Sequence, residues 1–215
     1  MAKNRNVSLS VIRRLPRYYR FLGMLLDSGF SRISSTELSL HMGLTASQIR
    51  QDLNCFGGFG QQGYGYNVGQ LREKIGGILG LDKGYPVIIL GAGNIGRALA
   101  NNMKFPDLGF RLCAIFDIDP EVIGQRMATQ TVRDISELDE FCLQAHPKVA
   151  VMTLPTAAAP PLVDKLWQHG VTAFWNYTTY DIVLKYPQAE VENVHLGDSI
   201  MTLCYMIKED CDGEA

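Results

Sequence analysis

The chain has 215 residues, 47% of them hydrophobic and 20% charged, which excludes global disorder and suits one large domain or two small ones. Its 20 Lys and Arg against 22 Asp and Glu give a formal charge of −2, a figure that would argue against a nucleic-acid partner if the charge were spread evenly. It is not: residues 1–80 carry ten basic and four acidic side chains, net +6, and residues 81–215 are left with −8, so a basic module that points to a polyanion is joined to an acidic one.

Six of those ten cations fall within the first 20 residues, where there is no carboxylate. The N-terminus is polar and basic, without the apolar region of a signal peptide, and the longest strongly apolar run, residues 86–93, is far short of the ~20 residues that cross a bilayer. The expected location is the cytoplasm, with no membrane partner. Five cysteines, an odd number without a C-x-x-C pair, indicate neither a disulfide framework nor a zinc site, so no metal is expected and buried free thiols are the default.

Leu15-Pro16 opens a predicted first helix, with Tyr18, Leu22, Leu25 and Leu26 as its buried stripe and Gly29 at its end. Ser34-Ser35-Thr36-Glu37 starts a short second helix that stops at Gly43. Thr45-Ala46-Ser47-Gln48 has the form of a capping box and starts a third, over about 46–56. Two short helices across a glycine turn make a helix-turn-helix, with Gln48, Arg50, Gln51 and Asn54 placed to meet base edges. The following GGFGQQGYGY, residues 57–66, reads as a wing with Gln61 and Gln62 at its tip. A connector helix is predicted over 68–79, capped by Gly80.

From Pro86 the pattern changes. Apolar runs (VIIL, RLCAIF, KVAVMTL, VTAFW) alternate with helical segments starting at Asn94, after Pro120 and ending at His169-Gly170, which predicts an α/β domain with a doubly wound parallel sheet. Gly91-Ala92-Gly93-Asn94-Ile95-Gly96 follows the first of these strands and opens a helix. This is the dinucleotide fingerprint in its proper context, whose glycines permit a tight turn, close approach of a pyrophosphate and helix-strand packing. Asp117 ends the next strand, 21 residues beyond Gly96; such an acid accepts from a ribose hydroxyl and repels a 2′-phosphate, favouring NAD(H) over NADP(H). Asp119, before Pro120, reads as a cap.

A dehydrogenase needs a proton relay. Of the four histidines, His41 lies in the basic module and His146 and His169 at helix ends, leaving His195 as a candidate acid or base. With no substrate domain discernible after the nucleotide fold, the chain reads as a nucleotide sensor joined to a DNA reader and not as an enzyme. The rival is a small NAD-dependent oxidoreductase. Near the end, Ile200, Leu203, Cys204 and Ile207 recur at helical spacing in a helix expected to pack on its own domain or on a second subunit; two-fold symmetry in helix-turn-helix proteins favours the subunit.

Taken together, Arg14–Arg20 (RLPRYYR), residues 33–38 (ISSTEL), 48–53 (QIRQDL), 56–60 (FGGFG) with Gly65-Tyr66, 91–99, 116–120 (FDIDP) and 175–177 (WNY) closely resemble the Rex family of redox-sensing bacterial repressors, from about Ser10 to Ile207. The resemblance implies a winged-helix DNA-binding domain (1–80), a Rossmann NAD(H)-binding domain (81–195) and a swapped C-terminal dimerisation helix with tail (196–215). It implies a homodimer that holds a palindromic double-stranded operator in the apo or NAD⁺ state and releases it on NADH. Candidate DNA-binding residues are Arg13, Arg14, Ser47, Gln48, Arg50, Gln51, Gln62 and Gly63. Candidate cofactor residues are Gly91, Ala92, Gly93, Asn94, Ile95, Gly96 and Asp117, together with Thr153, Leu154, Pro155, Asn176, Tyr177 and Thr178, which match strand ends bordering the nicotinamide.

Arg20 matches an arginine that couples the two domains, through a tyrosine and an aspartate whose positions here hold Asn102 and His195, followed by Leu196 in place of an aromatic. Gln51 and Gln62 stand where the family usually carries cations, which implies weaker phosphate attraction. A divergent member with a weak or altered redox response is therefore the second expectation.

Overall fold

The structure, a computed structural model, describes residues 7–58 and 65–212, with side chains through Lys208. The chain divides into two compact units, Met1–Asp82 and Lys83–Ala215.

The first unit contains α1 (Leu9–Asp27), β1 (Arg32–Ile33), α2 (Ser35–Met42), α3 (Ala46–Asn54), β2 (Tyr66–Asn67) and α4 (Val68–Leu79). Helix α1 begins six residues before the predicted start at Leu15, so Pro16 lies inside it. Proline there removes the bond to the carbonyl four residues back, that of Ile12. Burial of Val11 and Leu15 offsets the loss, because with Tyr18 and Leu22 they form a stripe spaced four, three and four residues apart. Leu26, expected in that stripe, is exposed instead. The helix closes with Gly29 at φ +81°, its N–H donating to Leu26 O (2.9 Å) while Phe30 N donates to Leu25 O (2.9 Å), a Schellman turn.

Ser34 and Glu37 form a complete capping box at the head of α2: Ser34 N donates to Glu37 Oε2 (2.7 Å) and Glu37 N to Ser34 Oγ (3.1 Å). At α3 only half of the predicted box forms. Thr45 Oγ1 accepts from Gln48 N (3.1 Å), but the Gln48 side chain turns to Asp52. Strands β1 and β2 pair antiparallel, Ile33 opposite Tyr66. The chain enters β2 through Gly65, where a Cβ would stand 2.7 Å from Ile33 O, so only glycine allows the approach. Leu15, Tyr18, Leu22, Leu38, Ile49, Leu53, Leu71 and Ile75 form the core of this unit. The wing tip, with Gln61, Gln62 and Gly63, and the leader cations Lys3 and Arg5 lie outside the described residues.

In the second unit the chain runs β3 (Tyr85–Leu90), α5 (Asn94–Asn102), β4 (Phe110–Asp117), β5 (Arg126–Met127), β6 (Gln130–Asp134), α6 (Leu138–Ala145), β7 (Val149–Met152), α7 (Ala159–Gln168), β8 (Ala173–Asn176), α8 (Ile182–Lys185), β9 (Glu190–Asn193) and α9 (Leu196–Asp212). The sheet order is β5-β6-β4-β3-β7-β8-β9, parallel apart from the β5–β6 hairpin. Alternation along β3 divides the core: Ile88 and Leu90 pack with α6 and α7, Val87 and Ile89 with α5.

No helix follows Pro120 directly. Asp119 Oδ1 accepts from Glu121 N (2.9 Å), capping a turn, and Gly124 at φ +85° donates to Val132 O (2.9 Å), drawing the chain into the hairpin before a second turn forms. The crossover helix is α6.

Among the described residues no helix is long and apolar enough to cross a membrane, and no group of three or more His, Cys, Asp or Glu is arranged to hold a metal. The cysteines are more varied than the default of burial: Cys142 is buried, Cys113 half-buried, and Cys55 and Cys204 are exposed; the Cys211 side chain lies outside the described residues. Burial pushes the Cys142 thiol up to about 11. Alkylation at neutral pH followed by mass spectrometry is therefore expected to label Cys55 in the native protein and to reach Cys142 only after unfolding, since the thiolate is the reactive form.

Candidate functional site

The second unit builds a cradle at the carboxyl ends of β3, β4 and β7, where the strand order reverses. Beyond Leu90, Gly91 turns at φ +97° and donates to Phe116 O (2.8 Å). A Cβ on Gly91 would stand 2.4 Å from Thr153 O, and one on Gly96 would stand 1.9 Å from Gly91 O. Both positions are closed by backbone. Gly93 differs: a Cβ there meets nothing within 4 Å, so this part of the loop is open to a ligand. It occupies the N-cap of α5 without a side-chain bond, leaving first-turn N–H groups and the positive end of the helix dipole for an anion. Ala92 is buried, whereas Asn94 and Ile95 are exposed at the opening.

Asp117 is half-buried at the end of β4. Its carboxylate accepts from Ala92 N (2.5 Å), Ile118 N (2.7 Å) and Asp119 N (3.0 Å), which ties the acid to the phosphate loop. A carboxylate has roughly four acceptor sites, so one remains for a ribose hydroxyl.

The other predicted cofactor residues fall into two kinds. Thr153 spends its hydroxyl on the carbonyls of Gly91 (2.8 Å) and Leu90 (3.1 Å), bracing the glycine loop from β7. Asn176 is fully buried: its Nδ2 donates to Tyr180 O (3.0 Å) and Asn193 Oδ1 (2.9 Å), and its Oδ1 accepts from Thr178 N (3.1 Å) and Thr178 Oγ1 (2.7 Å). Asn176 and Thr178 thus hold the loop after β8 in shape and do not present side chains to a ligand. Leu154 and Tyr177 are half-buried and Pro155 is exposed; Tyr177 packs edge-on against Trp175, with ring centroids 5.1 Å apart. Thr156 and Thr179, not singled out in the sequence, join the two loops: their hydroxyls lie 3.0 Å apart, and Thr179 N donates to Thr156 Oγ1 (3.2 Å).

Replacing Asn176 by alanine strips partners from the buried Thr178 and from Tyr180 and Asn193, and is expected to cost about 2–4 kcal/mol, at ~1–3 kcal/mol for each buried group left unsatisfied. Thermal melting of the nucleotide unit would check this, with an unchanged midpoint as the contrary result.

His195 lies at the end of the same loop system. Its Nε2 is 3.2 Å from Thr178 O and its Nδ1 3.3 Å from Asp198 Oδ2, so a carboxylate stands beside the position where the resemblance expects an aspartate. Leu196 is exposed, and Asn102 donates back to Ala98 O (2.9 Å) at the end of α5. Arg20, the other member of the expected coupling set, is exposed on α1 in the first unit.

In that unit Asp52, fully buried on α3, collects four hydrogen bonds. Arg14 donates through Nε to Oδ2 (2.6 Å) and through Nη2 to Oδ1 (2.7 Å); Tyr18 OH donates to Oδ2 (3.0 Å) and Gln48 Nε2 to Oδ1 (2.8 Å). Burial raises the carboxyl's affinity for a proton, but the bonds from Arg14, Gln48 and Tyr18 outweigh it and hold Asp52 below the usual aspartate range. Gln48, expected on the open face, is turned inward. Ser47, Arg50, Gln51 and Asn54 are exposed, and Arg50 Nη1 donates to Ser35 Oγ (3.0 Å). Arg13 is exposed on α1.

Comparison with known proteins places these units. Residues 6–54 match the family model "Putative DNA-binding protein N-terminus", and residues 82–180 match "CoA binding domain". The redox-sensing transcriptional repressor Rex of Clostridium tetani is 49% identical over 210 residues, 97% of this chain and 99% of that protein. That of Caldanaerobacter subterraneus is 49% identical over 211 residues, 98% of this chain and 93% of its own. The chain belongs to the Rex family of transcriptional repressors. A crystal structure of the Rex-family repressor RSP with β-NAD⁺ and operator DNA aligns at a TM-score of 0.89 with 46% identity, covering 97% of this chain and 95% of that one. RSP with β-NADH aligns at 0.88 with 43% identity, covering 97% and 98%.

Proposed function

We propose that this Rex-family protein is a homodimeric repressor that holds a palindromic operator in its apo or NAD⁺ state and leaves it when NADH binds. The observation that carries the reading is the coexistence in one chain of a helix-turn-helix with an exposed polar stripe on α3 and a dinucleotide cradle with an open Gly93 and an acid tied to its loop. The cradle suits the cofactor: α5 offers its N-terminus to the pyrophosphate, Asp117 keeps an acceptor site for the adenosine ribose and disfavours a 2′-phosphate, and Leu154, Pro155 and Tyr177 border the nicotinamide. Likeness to RSP chains solved with NAD⁺ and operator DNA and with NADH supports both ligands. Neither unit needs a catalytic residue for this role. A protein reading the dinucleotide pool at promoters works in the cytoplasm.

Calorimetry of the full-length protein with NADH, NAD⁺ and ADP tests the sensing half. The reading predicts that both nicotinamide forms bind, NADH more tightly, and that ADP is the weaker ligand. Equal affinities for NADH and ADP would mean that the site reads adenosine and not the redox state.

A further inference from the structure

We propose that Arg14, Gln48 and Asp52 form a positioning clasp that sets the pose of α3 on DNA, and that sequence is read by the exposed stripe Ser47, Arg50, Gln51 and Asn54. This deepens the repressor reading and rests on it.

The Asp52 side chain has 0% exposure and that of Arg14 26%. Burying a carboxylate is costly, and replacing such a pair with apolar residues is often neutral or stabilising, so its presence is weak evidence of a stabilising role. Geometry gives a better reason. Ile49 and Leu53 fix the depth of α3 in the core, but apolar contacts are non-directional and leave rotation and sliding of a nine-residue helix poorly determined. A bidentate arginine-carboxylate fork is directional. It reaches from α1, 38 residues away in sequence, and Tyr18 and Gln48 fill the remaining acceptor sites of Asp52.

The same bonds decide which side chains are left for DNA. Arg14 turns its Nε/Nη2 edge into the protein and cannot present that fork to a phosphate or a guanine. Gln48 donates its amide inward and so lacks the free donor-acceptor edge that reads adenine. The exposed residues at 47, 50, 51 and 54 fall on one side of α3, at helical spacing. Their chemistry suits base edges: Arg50 has a fork for guanine, Gln51 and Asn54 have amides for adenine, and Ser47 has a short hydroxyl.

The test compares full-length Arg14→Gln, Arg14→Lys and Asp52→Asn with the unaltered chain. Binding is measured to a palindrome selected by that chain from random-sequence DNA and to a scrambled fragment of equal length, over a range of salt. The clasp predicts that Asp52→Asn, although it makes the protein more positive, loses about 10- to 100-fold in operator affinity, equivalent to ~1.4–2.7 kcal/mol. Affinity for scrambled DNA and the salt slope should stay as they were. Arg14→Gln should behave alike, with partial recovery in Arg14→Lys.

If Arg14 were instead a phosphate contact, Arg14→Gln would weaken both DNAs equally and flatten the salt slope by about one for each subunit's lost contact, and Asp52→Asn would strengthen both. That result overturns the proposal. So does an equal loss on both DNAs that tracks the unfolded fraction, which would mark a merely structural pair. Should Asp52→Asn fail to fold, Tyr18→Phe and Gln48→Met each remove one of the four bonds, and an unchanged operator-to-scrambled ratio in both overturns the clasp. An unaltered chain that prefers no sequence would overturn the repressor reading and the clasp with it; a selective one with unaffected variants overturns the clasp alone.

Discussion

Gly96→Ala is expected to lower NADH affinity by at least about 100-fold, equivalent to ~2.7 kcal/mol, and to lower the melting temperature of the nucleotide unit. The added Cβ would stand 1.9 Å from Gly91 O and 2.9 Å from Thr153 Oγ1. The nearer obstacle is backbone and cannot rotate aside, so α5 must withdraw from the end of β3 and carry its N–H groups out of register. Overpacking a close-fitted interior typically costs ~1–3 kcal/mol, and a clash with backbone lies at the upper end. Gly93→Ala separates the ligand from the fold. That position has room for a methyl group in the protein itself, so the melting temperature should hold while NADH affinity falls, because the space is where the pyrophosphate approaches. Fluorescence titration with NADH beside a thermal melt reads both. Undiminished binding by Gly93→Ala would mean that the nucleotide lies elsewhere.

Placing aspartates at Ile200 and Ile207 together is expected to turn the proposed dimer into a monomer at micromolar concentration. Leu196, Ile200, Leu203 and Ile207 recur along one side of α9 at intervals of four, three and four, with exposures of 65%, 63%, 49% and 55%. Met201, Tyr205 and Met206 are exposed as well. A continuous apolar surface of this kind marks an interface. A helix of 17 residues in water also has little stability of its own, so it needs a surface to pack on. Each isoleucine buried in a partner contributes ~1.5–3 kcal/mol, and an aspartate in its place adds the cost of a buried charge; losing two per subunit should weaken the dimer by more than about 1,000-fold. Light scattering gives the mass. Affinity for the full palindrome should drop to that for a half-site. A variant that stays dimeric would place the interface on another element.

The parts of the fold legible in the sequence were those set by neighbours in the chain. Helix α4 occupies the predicted 68–79 and ends on Gly80 in the left-handed conformation, because an asparagine cap and a terminal glycine act within one turn. The glycine fingerprint likewise announced the cradle, since three positions with separate demands on space lie within six residues. Long-range pairings were not legible. Nothing near Thr45 shows that Gln48 will leave its capping box for a buried carboxylate held by an arginine on another helix. The extension of α1 ahead of Pro16 depends on Val11 finding a core that only the folded unit supplies. At the cofactor site, polar residues at a strand end look alike in sequence whether they meet a ligand or each other. Asn176 and Thr178 meet each other; Thr156 and Thr179, which pin the two loops, carried no signal because their partners lie 23 residues apart.

In the proposed repressor, nucleotide binding in one unit governs DNA binding in the other. The most direct test is fluorescence anisotropy of a labelled palindromic operator held by the full-length dimer, with NADH and then NAD⁺ titrated in. A redox-sensing repressor releases the operator on NADH at concentrations that saturate the cradle, retains it with NAD⁺, and loses the NADH response in Gly93→Ala. An operator complex that persists at saturating NADH would contradict that coupling.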